Sequence, residues 1–305
     1  MESTTPKVAN LVNMENPQDV LGEAKKIALM MFPQFDCEPL DRLYLDILRL
    51  FQGEYPGYRA CDTQYHDLKH TTDTFLAMAR VMHGAVTADH TFSERGVALG
   101  LVSALFHDTG YLLTYEEEGP GAKYTLLHIK RSIAFMDDYF AARGFPREDF
   151  RFCRNVLNCT GLDVQIDEIA FMSQENEILG KMLGTADLLG QMADRTYLEK
   201  LPFLYDEFKV AGISGLGSEL DFFRNTPGFF DMTQKRFQNE LGGVNQYMRH
   251  HFRVCCGVDE DLYMSAIEDS MAYLKKILEH DPDNCRKHLR RAGVLRNLER
   301  IRGPA

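Results

Sequence analysis

The sequence predicts an all-α protein. Apolar residues recur at steps of three and four along most of the chain, and alternating β patterns are scarce. Hydrophobic residues make up 45% and charged residues 26% of the 305 residues, which is typical of a globular protein that buries a sizeable core. There is no long apolar run, and the polar N-terminus lacks a signal-peptide core. We therefore expect no membrane association and a cytoplasmic location.

The first half of the chain predicts four helices. Asn16-Pro17 is a typical helix start, and segment 38–52 carries an apolar stripe at helical spacing. The segment that follows Tyr65 predicts a helix ending at Gly84. Ser93 precedes a helix that is apolar on every side, which indicates burial in the middle of the protein.

The second half also predicts mainly helices. Residues 116–124 are expected to form a loop, and segments 126–144 and 177–208 to be helical. The glycine-rich stretch 211–228 is typical of a mobile connection or lid. The basic run 286–302 predicts a helix with a charged outer face.

This pattern predicts a flexible tail over residues 1–17 and a single helical domain over 18–305. Residues from about 225 to 305 would form a C-terminal extension or lid, and a domain boundary near 190–225 stays open. The net charge of −11 argues against binding to duplex nucleic acid. Seven irregularly spaced cysteines with no CxxC pair argue against a disulfide framework and against structural zinc held by thiolates.

The pair His107-Asp108 is the first candidate site. It ends the apolar helix, where a buried carboxylate needs a partner. Imidazole nitrogen and carboxylate oxygen together suit zinc, iron or manganese, although a hydrogen-bonded helix end is the alternative. His70 on the preceding helix could reach the pair if the two helices pack antiparallel. A fourth ligand would come from Asp187 in an apolar helix face, with Asp194 as the second choice.

His66 stands four residues before His70, a spacing that places both on one helical face. Either both bind one metal, or His70 binds it while His66 transfers a proton. Asp73, one turn further, could orient a ring. Two surface histidines remain the alternative for such a spacing considered alone.

Three stretches in this order, YHDLKHTTD, SALFHDTGY and GTADLLGQM, resemble the metal site of the HD superfamily of phosphohydrolases. More narrowly, they resemble the catalytic domain of cyclic-nucleotide phosphodiesterases, which is a multi-helix fold. That family has a tyrosine, a histidine, a second histidine four later and an aspartate three further, then an HD pair and a later helical aspartate. The segment TPGFFDMTQKRF also resembles the family's region that closes over the base, and the likeness spans roughly residues 60 to 240.

The resemblance implies roles for these residues. His70, His107, Asp108 and Asp187 would hold the first metal, and Asp108 would bridge to a second. A metal-activated hydroxide would attack phosphorus and His66 would protonate the leaving oxygen. The cofactors would be one or two divalent ions, Zn, Mn, Mg or Fe. The substrate would be a small phosphorylated molecule such as a cyclic nucleotide, and a homodimer is left open.

The chain departs from the family pattern at several positions. Asp67 replaces the family's asparagine, and residues 109–111 lack its histidine. Gln234 and Gln238 are the candidates for the glutamine that clamps a purine, so the substrate stays open. Tyr111 and Lys69 are expected to line the pocket.

His128 lies twenty residues after Asp108, where several HD branches place a ligand of a second metal. It could bind that metal, contact a phosphate or fill the core. The later histidine of those branches is replaced by Cys159. Lys130 and Arg131 could bind a phosphate, although the simpler expectation is that they lie on a charged helix face exposed to solvent.

The remaining histidines belong to none of these motifs, and surface or hydrogen-bonded roles are expected for them: His83, His90, His250, His251, His280 and His288.

Two other functions stay open. One is a two-iron oxygenase of the HD type, which the missing histidine near Cys159 disfavours. The other is a regulatory module without activity, which the intact ligand set disfavours.

Overall fold

The protein is all-α, as predicted. The computed structural model describes residues 6–295, which form no strand and only an isolated bridge between Tyr58 and Thr114. Short 3₁₀ turns connect some of the helices. The α-helices are α1 (Pro17–Met31), α2 (Glu38–Gln52), α3 (Leu68–Thr87), α4 (Glu94–Phe106), α5 (His128–Arg143), α6 (Arg147–Asn158), α7 (Gln174–Met192), α8 (Tyr197–Val210), α9 (Glu219–Asn239), α10 (Tyr247–Cys256), α11 (Leu262–His280) and α12 (Cys285–His288).

Helix α3 is the centre of the fold. Every residue from His70 to Ala85 is buried, because α1, α4, α7 and α10 surround it. The helix starts later and ends later than the sequence predicts. Asp67 is its N-cap, so His66 precedes the helix, and the chain continues through Gly84 to Thr87. Gly84 does not end the helix. Its lack of a side chain instead lets another helix pack closely at this point.

Glycines set the close contacts that position the candidate site. A Cβ on Gly190 of α7 would lie 3.0 Å from the backbone nitrogen of Thr74 in α3. A Cβ on Gly110 would lie 1.9 Å from the carbonyl oxygen of His128, at the start of α5. The backbones can therefore approach closely only because these residues lack a side chain.

Other element boundaries differ from the prediction. The segment 177–208 is not one helix, because a turn after Met192 separates α7 from α8. The glycine-rich stretch contributes only its first residues to a connection, and α9 begins at Glu219 with a Ser218 capping box. The basic run forms only the short α12 and a 3₁₀ turn up to residue 295, and its remainder lies outside the described residues.

The two ends of the chain pack against the same core. Val8 is buried within the segment predicted as a flexible tail, and it lies in a 3₁₀ turn that contacts α11. Met248 and Phe252 of the predicted C-terminal extension are fully buried in the cluster that contains α3. None of the helices in the described part of the chain has the length and apolar character to cross a membrane.

Replacing Gly110 with alanine should destabilise the protein by about 1–3 kcal/mol, because the added methyl group overlaps the His128 carbonyl oxygen. Urea unfolding measures the change. Gly22→Ala in α1 is the matched control, since no atom lies within 4 Å of its added Cβ and alanine favours a helix by about 1 kcal/mol. Equal stability of the two variants would contradict the close contact at Gly110.

Candidate metal centre and its pocket

The four predicted metal ligands come from three helices and meet in the core. His70 lies in the first turn of α3, His107 directly follows α4, and Asp108 is the next residue. Asp187 lies in α7, one turn before Gly190. The close contact at Gly190 therefore brings Asp187 next to His70.

The distances define a compact cluster. His70 Nε2 lies 3.2 Å from His107 Nε2, 3.2 Å from Asp108 Oδ2 and 3.1 Å from Asp187 Oδ1. His107 Nε2 lies 3.2 Å from Asp108 Oδ2 and 3.7 Å from Asp187 Oδ1. These separations are those of hydrogen bonds and ion pairs, and they are also short enough for the atoms to surround a common cation.

The hydrogen bonds indicate which ring atoms carry lone pairs. His107 Nδ1 lies 2.8 Å from the carbonyl oxygen of Ala104, which can only accept, so Nδ1 donates its hydrogen there. In the neutral ring, Nε2 then directs a lone pair at the cluster. Asp108 Oδ2 is buried and has no hydrogen bond of normal geometry. Two imidazoles and two carboxylates in this arrangement fit zinc, manganese or iron.

The electrostatics of the cluster also call for a positive charge. Burial opposes protonation of His70, but the neighbouring carboxylates of Asp108 and Asp187 outweigh it and raise its pKa to about 10. Burial likewise opposes protonation of His107, yet Asp108 raises its pKa. Burial alone would raise the pKa of Asp108, but His107 and His70 hold it well below its ordinary value. Either protonated imidazoles or a bound metal cation would neutralise the charge of the two carboxylates.

His128 lies on the other side of Asp108. Its Nδ1 lies 2.6 Å from the carbonyl oxygen of Thr125, and its Nε2 lies 3.7 Å from Asp108 Oδ1. Burial lowers its pKa. Of the three roles left open by the sequence, core filling does not fit, because the ring lines a cavity. A neutral ring there can bind a second cation next to Asp108 or contact a phosphate.

His66 has a different environment from the one its spacing predicts. It is not on a helical face with His70, because α3 begins only after Asp67. Its Nδ1 lies 2.6 Å from Glu207 Oε2, and the other oxygen of Glu207 accepts hydrogen bonds from the backbone nitrogens of Gln64 and Tyr65. Nε2 is left without a hydrogen-bond partner among the described residues. The ring also stacks on Tyr111 at 4.5 Å between centroids.

Glu207 is the site residue that sequence reasoning missed. It lies in α8, 141 residues after His66, and is 5% exposed. Its neighbour Asp206 is also acidic, and no local pattern distinguishes the two. Only the position of α8 against the loop before α3 reveals the pair.

Two predicted supporting residues lie elsewhere. Asp73 does not hydrogen bond to an imidazole but pairs with Lys69 at 2.7 Å. Lys69 also lies 3.1 Å from Asp194, the alternative ligand, which therefore belongs to this ion cluster and not to the metal ligands. Lys69 borders a separate cavity on this side of α3, so its predicted place in the active-site pocket is wrong.

A cavity of about 600 Å³ opens beside the cluster. His66, Asp108, Tyr111 and His128 line one end of it, as expected for Tyr111. The lining also includes apolar side chains from α8, α9 and the connection between them, namely Phe208, Ile213, Phe222 and Phe229, together with polar ones such as Lys130, Asp163 and Asn225. The cavity therefore combines charged groups with aromatic surface.

Several residues proposed to contact substrate have other surroundings. Gln234 and Gln238 are exposed and do not line the cavity, so neither can clamp a base there. Arg131 binds Glu117 and the carbonyl oxygens of Gly110 and Leu112, whereas Lys130 does line the cavity.

A protein-family model described as Npun_R2479-like matches residues 112–242. This match covers less than half of the chain. It includes His128, Asp187 and Glu207 but begins after Asp108. No curated protein matches the chain.

The two candidate aspartates can be separated by substitution. Asp187→Asn should weaken Mn²⁺ binding at least tenfold, since ligand oxygen charge is lost from the cluster, whereas Asp194→Asn should keep it. Elemental analysis of protein dialysed against a fixed concentration of Mn²⁺, which disfavours thiolate ligands, measures both. Loss of metal in Asp194→Asn alone would contradict the assignment.

Proposed function

We propose that this protein is a metal-dependent phosphohydrolase of the HD type, most closely resembling a cyclic-nucleotide phosphodiesterase. One observation carries the proposal. A buried set of two imidazoles and two carboxylates lies at the same end of a cavity as an imidazole held by a carboxylate. Such a site combines cation binding with a positioned proton donor, the two requirements of phosphoester hydrolysis.

His70, His107, Asp108 and Asp187 are the residues that would hold the first divalent cation. Asp108 Oδ1 points away from them toward His128, so the same carboxylate can serve a second cation on that side. Bound divalent cations would supply an activated water and would stabilise negative charge on the phosphoryl oxygens. The protein contributes the buried, preorganised carboxylates and rings that fix where the phosphoryl group is held.

His66 would donate the proton to the leaving oxygen. Glu207 accepts from Nδ1, which fixes the orientation of the ring. When the ring also carries a proton on Nε2, that nitrogen can donate it to substrate. Tyr111 stacks on the ring and limits its rotation.

The aromatic side chains of the cavity favour a nucleotide as the substrate. Phe208, Phe222 and Phe229 offer aromatic faces and edges on which a planar base can pack. Asn225 and Gln191 line the same cavity and carry amide groups that can hydrogen bond to a base or ribose. A cyclic nucleotide or a related phosphate ester fits a cavity that offers both charged groups and aromatic side chains.

Two substitutions separate the metal from the proton donor. Asp108→Ala should lose both bound Mn²⁺ and turnover, because it removes the ligand shared by the cluster. His66→Ala should keep the metal and lower kcat by about 10²–10⁴-fold. Metal analysis and steady-state kinetics on the same preparations measure this. Equal metal loss in both variants would make His66 a ligand and not an acid.

Glu207→Gln tests the carboxylate behind His66. The amide keeps the shape and one acceptor oxygen but cannot compensate the imidazolium charge, so kcat should fall at least tenfold while bound metal stays constant. Glu240→Gln on α9, whose carboxylate pairs with Arg236 and does not line the cavity, is the control and should retain activity. Unchanged kcat in Glu207→Gln would show that the Glu207 carboxylate has no role in the proposed mechanism.

The function itself is tested with a panel of phosphate esters under Mn²⁺, Mg²⁺, Fe²⁺ and Zn²⁺. The panel contains cyclic AMP, cyclic GMP, cyclic dinucleotides, nucleoside mono- and triphosphates and a chromogenic diester. Turnover that disappears in Asp108→Ala supports hydrolysis and identifies the substrate class. Oxygen consumption with iron and no hydrolysis of any ester would favour the two-iron oxygenase instead.

A further inference from the structure

A second group of metal-binding side chains lies at the other end of α3. His83 of α3 and His251 and Cys255 of α10 place their ligand atoms within 4.8 Å of one another. His83 and His251 are each only 3% exposed and their Nδ1 atoms lie 3.1 Å apart, so of the two roles expected for them the hydrogen-bonded one applies. His70 and His83 are thirteen residues apart on α3, which separates the two groups by about 20 Å.

The distances match those of a tetrahedral zinc site. His83 Nδ1 lies 3.1 Å from His251 Nδ1, and Cys255 Sγ lies 3.8 Å from the same nitrogen of His251. Zinc bonds of about 2.0–2.1 Å to nitrogen and about 2.3 Å to sulfur place two nitrogens about 3.3 Å apart and nitrogen about 3.6 Å from sulfur. These two separations differ from those of a zinc site by only a few tenths of an ångström.

The backbone is built to bring these side chains together. A Cβ on Gly84 would lie 1.8 Å from the carbonyl oxygen of Tyr247, so the glycine next to His83 lets α10 pack directly on α3. His251 and Cys255 are four residues apart on α10, which puts them on one face of that helix. The imidazoles meet edge to face at 5.0 Å between centroids.

The chemistry of the three groups suits a cation. At 3.1 Å the two Nδ1 atoms can share one hydrogen, a contact that an ion would replace, and the sulfur lies too far from His251 for a strong hydrogen bond. Burial lowers the pKa of both rings, which keeps them in the neutral form that binds metals. Cys255 is exposed, so an ion can enter from solvent.

We propose that His83, His251 and Cys255 form a zinc site that joins α10 to α3. Two imidazoles and one thiolate supply three ligands of the set typical of structural zinc. The fourth position is open to water. Because the cluster lies apart from the catalytic cavity, this site acts as a cross-link of the core and does not depend on the proposed function.

Cobalt titration of the full-length metal-free protein tests the proposal, because Co²⁺ replaces zinc and reports its ligands by absorption. The proposed catalytic centre contains no cysteine, so a thiolate-to-cobalt charge-transfer band in the near ultraviolet reports only a thiolate site. We expect this band in the wild-type chain, with one equivalent of Co²⁺ bound at the thiolate site. We expect added Zn²⁺ to remove it. Absence of the band would overturn the proposal.

Neighbouring residues provide matched controls. Cys255→Ser should abolish the band and Cys256→Ser should retain it, and His251→Gln should weaken it while His250→Gln does not. Cys255 is exposed, so its serine variant should fold. A band that survives in Cys255→Ser, or that disappears equally in Cys256→Ser, would overturn the assignment.

A stability measurement gives an independent readout. Zinc should raise the urea midpoint of wild type and of Cys256→Ser more than that of Cys255→Ser, since binding to the folded state stabilises it by mass action. Both variants retain the proposed catalytic ligands, so any stabilisation through that centre is common to both. Equal zinc effects in the two variants would contradict a cross-link through Cys255.

Discussion

The convergence of two carboxylates and two imidazoles inside an apolar core is the constraint on which the proposed function depends. Asp108 and the two imidazoles are almost completely buried, and Asp187 is largely so. Buried carboxylates are costly unless a positive charge accompanies them. In the structure, the imidazoles respond to the carboxylates with raised pKa values. A divalent cation would satisfy the same carboxylates while using the neutral rings as ligands, which is why the cluster is best understood as a metal centre.

Helix α3 organises this centre through its packing. It is buried along nearly its whole length, and its neighbours approach it at glycines where a side chain would collide with the backbone. Gly190 admits α7 near His70, and Gly84 admits α10 beside His83. The same helix therefore contributes a histidine to each of two clusters at opposite ends. Packing that positions the catalytic ligands would then be reinforced by the proposed zinc cross-link at the far end.

The catalytic cavity is assembled from segments far apart in the chain. His66 comes from the loop before α3, Glu207 from α8 and His128 from the start of α5, while α9 supplies aromatic side chains. Tyr111 stacks on both His66 and His128, so one ring supports the proton donor and the residue next to the second cation position. The charged groups and the aromatic side chains of the cavity are the basis on which we propose a nucleotide ester as the substrate class.

The amino-acid pattern by itself determined the all-α class, the starts of α1 and α4, and the choice of His70, His107, Asp108 and Asp187 as candidate ligands. Helical spacing and costly buried polar groups are local signals that a sequence carries. The partnership of His66 with Glu207 and the pairing of Lys69 with Asp194 were decided only by tertiary structure. Both pairs join segments more than one hundred residues apart, and periodicity contains no information about such partners. The cluster of His83, His251 and Cys255 also joins two helices that lie far apart in the chain, so only the tertiary structure reveals it.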